Sequence, residues 1–257
     1  IDNQYYFNRE GMYGHYDDAE RFAFFSRAVL EIIPYIGFTP DIIHCNDWQT
    51  ALIPVYLDTF YKYDDLYKNM KTVFTIHNIQ YQGKYGYELI GDVLGIDEKD
   101  KGLLEYDGCV NLMKGAFASA DRITTVSPTY AREIMDPYYA HGLDSVLSGN
   151  AWKLTGITNG IDTNTFNPET DPALPAHYNA DSFVEGKAAC KAALQEEVGL
   201  PVNPDVPLMV MVTRLAGHKG LDLLCYIARR LLWEEDCQLL ILGTGEYHFE
   251  EYFKELA

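Results

Sequence analysis

Residues 71–78 read Lys71-Thr72-Val73-Phe74-Thr75-Ile76-His77-Asn78, and the fold follows from them. Thr72, Val73, Thr75 and Ile76 are β-branched, which favours a strand over a helix. The run therefore reads as a strand. It then stops on two polar residues. The same pattern repeats outward in both directions. Ile42-Ile43-His44-Cys45 runs into Asn46-Asp47-Trp48, and Leu154 to Thr158 into Asn159-Gly160. Arg122 to Val126 is closed by Ser127-Pro128, a helix start with proline at its first position. Further on, Leu208 to Val212 leads into Thr213-Arg214, and Gln238 to Leu242 into Gly243-Thr244-Gly245.

Helical spacing fills the intervals. It places Phe22, Phe25, Val29, Ile32 and Ile33 on one face of a helix over 17–33, with Asp17, Asp18 and Glu20 in its first turn. Helices are also expected over 49–60, 109–119 and 220–232. Ser182-x-x-Glu185 reads as a capping box opening a helix to about Val198. Strands alternating with helices make the class α/β, with parallel sheets. Asn167-Pro168, Asp171-Pro172 and Pro175 interrupt all periodicity, so a linker is placed there. The chain thus divides into residues 1–166 and 167–257.

Composition narrows the function. Among 257 residues, 47% are apolar, enough for a sizeable core. Lys and Arg number 20 against 38 Asp and Glu, a net charge of −18, which argues against binding to nucleic acid or an anionic membrane. No run reaches the ~18 apolar residues of a membrane-spanning helix. No signal peptide is visible. The five cysteines show no CxxC spacing and read as buried thiols of a reducing, cytoplasmic protein. No HExxH or similar ligand spacing occurs, so no metal is expected. The chain opens on Ile1-Asp2-Asn3 and closes within a helical pattern at Phe253 to Ala257, which reads as a piece of a longer protein.

Ligands of open parallel sheets bind outside the carboxyl ends of the strands. A ligand between two such sheets would meet Asp47, His77, Asn159, Arg214 and Lys219. Arg214 offers a planar fork to a phosphate and Lys219 a mobile point charge, and Gly220 opens a helix whose free N–H groups favour an anion. Two surface cations on a solvated turn would look the same. Gly243 and Gly245 either bring backbone close to a nucleotide or make a tight turn. His77 is either a ligand contact or a structural histidine. Asp47 with Trp48 suits a sugar, the carboxylate accepting from hydroxyls beside an indole face; the alternative is a helix N-cap with a core tryptophan. The tyrosines of the run Gln80 to Tyr85 either line an acceptor groove or are half-buried surface.

Several strings together resemble bacterial glycogen synthase and plant starch synthase. They are Pro40 to Gln49, Val73 to Gly83, Ala120 to Ile134, Ile157 to Asp162 and Thr213 to Asp222. The resemblance implies a GT-B fold, two Rossmann-like domains facing a cleft. It implies retaining transfer of glucose from ADP-glucose, the donor substrate, to the non-reducing end of an α-1,4-glucan, with no separate cofactor. It also assigns roles. Arg214 and Lys219 would hold the diphosphate; Asp47 and Trp48 would line the glucosyl pocket. His77 and Asn78 would contact the donor sugar, and Asn159 the donor between the domains. Tyr13 would match a donor-site tyrosine through an alignment that needs a gap. The family's N-terminal Lys-x-Gly-Gly loop and its late glutamate segment have no counterpart among these residues, so the fragment alone is expected to be inactive. The rival readings are a non-catalytic glucan- or nucleotide-binding module and a GT-B transferase using a UDP-sugar. A nicotinamide-dependent oxidoreductase is disfavoured because no GxGxxG follows any expected strand. Paired carboxylates of a glycoside hydrolase are not evident either.

Overall fold

A computed structural model describes residues 2–257, and the chain divides into two compact units, residues 1–160 and 161–257. Its strands, in chain order, are β1 (Ile42–Asn46), β2 (Lys71–Ile76), β3 (Lys84–Tyr85), β4 (Glu105–Tyr106), β5 (Cys109–Asn111), β6 (Arg122–Thr125), β7 (Leu154–Gly156), β8 (Leu208–Val212) and β9 (Gln238–Leu242).

The first unit is built on a parallel sheet in the order β1-β2-β6-β7. Register is pinned by hydroxyls as well as by the ladder. Thr75 Oγ1 lies 2.6 Å from both His44 Nε2 and Thr124 Oγ1, and Thr125 Oγ1 donates to the Ile76 carbonyl at 2.8 Å. At the opposite end the Asp121 carboxylate accepts from Thr72 N at 2.9 Å, tying the start of β2 to the start of β6. Phe74, Ile76, Ile123, Leu52 and Phe117 are fully buried around the sheet, as both-sided cover of a parallel sheet requires. The helix Asp18–Glu31 buries Phe22, Ala23, Ser26 and Leu30, close to the expected face.

Several expectations are corrected. The single helix over 49–60 is three pieces: a 3₁₀ turn Trp48–Thr50, an α-helix Leu52–Tyr56 and a π-helical turn Leu57–Tyr61. Thr59 Oγ1 donates to the Val55 carbonyl at 2.8 Å, so a side chain takes the acceptor a regular helix would use. Over 109–119, Cys109–Asn111 is strand β5, paired antiparallel between β3 and β4. The helix begins only at Leu112, where Asn111 caps it by accepting from Lys114 N at 3.0 Å. The capping box at Ser182 does not form: Ser182 Oγ donates to Asn179 Oδ1 at 3.1 Å and leaves the helix Phe183–Glu197 uncapped by side chain.

The second unit carries β8 and β9 side by side and parallel, Met209 opposite Leu239. The helix Leu221–Glu234 connects them, buries Leu221 and Ala228, and starts after Gly220, whose φ of 73° belongs to the left-handed region. Among the described residues no helix is long and apolar enough to cross a membrane.

Candidate active site

In the first unit, β1 and β2 end side by side, and their exits are joined by one carboxylate. Asp47 leaves β1 at φ 55°, a costly conformation for a non-glycine residue. Its own N–H donates to the Thr75 carbonyl at 2.9 Å. Its Oδ1 accepts from His77 N at 2.8 Å and from Asn78 N at 3.4 Å. Asp47 stands at the N-cap position of the turn Trp48–Thr50, but its side chain makes no capping bond there; the carboxylate spans to the next strand instead. The His77 ring lies on the same edge, its Nε2 3.0 Å from Asn46 Oδ1, and is exposed. Asn78 Oδ1 accepts from Gln80 N at 2.9 Å, turning the chain away from the strand. Asp47, His77 and Asn78 are thus one bonded group. Asn159 follows β7 on this same carboxyl edge, exposed, beyond the intervening β6.

Trp48 points elsewhere. It is 9% exposed, edge-on to Phe22 at 5.0 Å and tilted against Tyr85 at 6.1 Å, and belongs to the core. Gly83 makes this possible: at φ 65° it lies so near the indole that a Cβ would come 2.8 Å from Trp48 Cε3. One edge of the indole still borders a shallow cavity of about 440 Å³, lined also by Gln80 to Tyr85 and by His141. His141, at φ 49°, was not singled out from the sequence. The adjacent Gly142, with φ 88°, was the available signal, since two consecutive positive φ values mark a special turn.

Tyr13 rides on the loop Gly11–His15, exposed, its ring 6.4 Å from Phe22. Two charge pairs hold that loop. Arg9 forks onto Asp17, with Nη1 2.6 Å from Oδ1 and Nη2 2.8 Å from Oδ2; this fork, against the opposing effect of burial, holds the Asp17 carboxyl below the usual carboxylate range. Arg21 pairs with Asp18, and Asp18 Oδ2 accepts from Gly14 N at 2.8 Å and His15 N at 3.2 Å. Arg21 also donates to the carbonyls of Tyr6 at 2.8 Å and Met12 at 3.3 Å.

In the second unit, the ends of β8 and β9 converge. Thr213 N donates to the Leu242 carbonyl at 3.1 Å, Leu215 N to that of Thr244 at 2.8 Å, and Glu246 N to that of Leu215 at 2.7 Å. A Cβ at Gly243 would collide with the Thr213 carbonyl oxygen, and one at Gly245 with that of Leu215. Close approach of the two backbones therefore explains both glycines with no ligand present. Arg214 and Lys219 flank this junction and are exposed; among the described residues neither side chain makes an ion pair or hydrogen bond. Two cations are thus left free beside the start of the helix Leu221–Glu234 in a strongly acidic chain. Glu246 Oε1 and Glu250 Oε1 accept from Gly217 N at 3.0 Å and Gly245 N at 2.7 Å, orienting the same two loops. Among the described residues no group of three or more His, Cys, Asp or Glu is arranged to hold a metal.

The chain has known relatives. The family profile of the starch synthase catalytic domain matches residues 1–149. A glycogen synthase of Alkaliphilus metalliredigens (strain QYMF) is 51% identical over 259 residues, covering 100% of this chain and 54% of that protein. One of Exiguobacterium sibiricum is 52% identical over 263 residues, with 100% and 54% covered. Among solved structures, the catalytic domain of Starch Synthase IV from Arabidopsis thaliana, bound to ADP and acarbose, matches at a TM-score of 0.88 and 36% identity. That match covers 98% of this chain and 52% of the neighbour. The chain therefore spans about half the length of the relatives it matches. The α/β class of GT-B type expected from the sequence is the class of this structure and of that neighbour. With the motifs at the strand ends and identity near one half over the full chain, the protein belongs to the starch synthase catalytic domain family.

Proposed function

We propose that the whole protein transfers glucose from ADP-glucose to the non-reducing end of an α-1,4-glucan, with retention at the anomeric carbon. The observation that carries the reading is the bonded group Asp47–His77–Asn78 at the carboxyl edge of a parallel sheet, in a chain about half identical to glycogen synthases. In the reaction the bond between glucose C1 and a diphosphate oxygen breaks, a bond from C1 to an acceptor hydroxyl oxygen forms, and the proton of that hydroxyl leaves with the diphosphate. Negative charge grows on the departing diphosphate. Arg214 and Lys219 are the groups assigned to that charge, because preorganised donors aimed at developing charge give the greatest stabilisation in such steps. His77 and Asn78, fixed by Asp47, are assigned to the glucosyl unit, whose ring gains positive character as the leaving group departs. The glucan is assigned to the cavity bordered by Trp48, Tyr81, Tyr85 and His141, where aromatic faces and amides suit a neutral, hydroxyl-rich ligand.

The test is incubation of the whole protein with ADP-[14C]glucose or UDP-[14C]glucose and glycogen. Label entering the glucan from ADP-glucose, and far less from UDP-glucose, supports the reading. Efficient use of UDP-glucose would replace the donor assignment. Binding of both ligands without incorporation would make the protein a binding module.

A further inference from the structure

The segment from His77 to Gln82 is held at its start, middle and end by groups from elsewhere in the first unit. Asp47 holds the start, through His77 N and Asn78 N. In the middle, Ile79 N donates to the Tyr130 hydroxyl at 3.2 Å. The end is held by the side chain of Gln82, which is 3% exposed. Its Nε2 donates to two carbonyls, Ile79 at 3.1 Å and His141 at 3.1 Å. Its Oε1 accepts from Nδ2 of the fully buried Asn111 at 2.7 Å, and Asn111 in turn caps the helix Leu112–Ser119.

Both N–H bonds of this amide and one face of its oxygen are therefore used, in a buried place where each would be costly to leave unmade. The surroundings demand this chemistry. Two carbonyl oxygens need donors, and one amide N–H needs an acceptor. A carboxylate would oppose two carbonyls, and an apolar side chain would satisfy none of the three. The bond to His141 has a second effect. His141 occupies positive φ, which persists only where the surroundings hold it. Gln82 grips the carbonyl of that residue, and its neighbours in sequence, Gln80, Tyr81 and Gly83 to Tyr85, line the same cavity as His141.

We propose that Gln82 is a positioning residue of the candidate active site. Its buried amide fixes the segment that carries His77 and Asn78 relative to His141, so that the two sugars assigned to these places are held in one geometry. What those sugars undergo rests on the transferase reading above; the positioning itself does not.

The experiment compares the whole protein with its Gln82→Met and Gln82→Glu variants. Glucosyl transfer is measured as kcat and KM, and hydrogen–deuterium exchange as the rate at residues 77–80 and 141–142 against Phe74 to Ile76 in β2. Gln82→Met keeps the volume and loses the hydrogen bonds. It is expected to lower kcat by about 10- to 100-fold, the scale of a misplacement near 1 Å. Exchange at 77–80 and 141–142 should rise by about tenfold, the size of one or two lost hydrogen bonds, and β2 should be unchanged. Gln82→Glu should show a deficit that shrinks as pH is lowered, because a protonated carboxyl regains one donor; the deficit of Gln82→Met should not vary with pH. If the unmodified protein shows no transfer, the transferase reading fails and the exchange rates alone decide the positioning. Unchanged exchange at 77–80 in Gln82→Met, or normal kcat despite faster exchange, overturns the proposal. If Gln82→Met does not fold, a Gln82→Glu deficit that stays constant with pH overturns it.

Discussion

Removing the carboxylate of Asp18 while leaving Arg21 in place isolates the clamp that holds the Tyr13 loop. The side chains of this pair are 9% and 3% exposed, so Asp18→Ala leaves a guanidinium in a site with little access to water. Breaking a buried pair by deleting one partner costs about 3–5 kcal/mol. Two features place this site at the lower end. Arg21 keeps the carbonyls of Tyr6 and Met12, and its guanidinium lies 5.7 Å from the Phe7 ring and 5.4 Å from the Phe22 ring. The N–H groups of Gly14 and His15 belong to an exposed loop and turn to water when their acceptor is lost. About 3 kcal/mol, at roughly 2–4 °C per kcal/mol for a protein of this size, lowers the melting midpoint by about 6–12 °C. Replacing both partners is a different perturbation, because no charge is left buried. Asp18→Ala with Arg21→Met should therefore be more stable than Asp18→Ala alone. Thermal melts followed by far-ultraviolet circular dichroism measure both. A single variant as stable as the unmodified protein, or a double variant less stable than the single one, would refute the reasoning.

Three further outcomes are expected. Arg214→Ala and Lys219→Ala in the whole protein should each lower turnover by ~10²-fold or more, the scale of losing one preorganised donor; near-normal rates in both would remove the diphosphate assignment. Gly243→Ala forces a methyl group against the Thr213 carbonyl and should cost about 1–3 kcal/mol as an overpacked contact, read as a lower urea midpoint for the second unit. Burial raises the pKa of Asp121, but the Thr72 N–H and the Lys71 ammonium outweigh it and hold the carboxyl below its usual range. The stability this supplies is complete above the unfolded value of about 3.9 and is lost as pH falls through the lower folded value. Urea midpoints across that acid range should fall more steeply for the unmodified protein than for Asp121→Asn, and equal slopes would show that the staple between β2 and β6 contributes nothing.

What the sequence made legible was whatever depends on neighbours along the chain. The run Thr72 to Ile76 and its counterparts are strands because their own side chains favour strands, and the helix at 18–31 follows from apolar spacing. Ser127-Pro128 behaves as read, with Ser127 accepting from Tyr130 N at 2.9 Å. The hairpin Glu105 to Asn111 was legible and was missed. Asp107-Gly108, at φ 49° and 74°, is the two-residue turn that joins adjacent antiparallel strands, but the helical spacing after it drew the boundary too early. The Asp47 clamp had no local signal, because its partners His77 and Asn78 lie 30 and 31 positions away. Gln82 was hidden for the same reason: its amide joins residues 29 and 59 positions distant. Ser182 shows the converse, a correct local pattern defeated by Asn179 just upstream.

The four strands of the first sheet all run the same way, which gives that unit a polarity. Asp47, His77 and Asn78 gather where the strands leave, while the entering side carries fastenings: Asp121 on Thr72, and Lys153 Nζ on the carbonyls of Ala118 at 3.3 Å and Ala120 at 2.8 Å. Anchoring the protein by a unique tag placed at exposed Asp41, on that quiet rim, would present every molecule to solution in one orientation, with the exits of its strands facing outward.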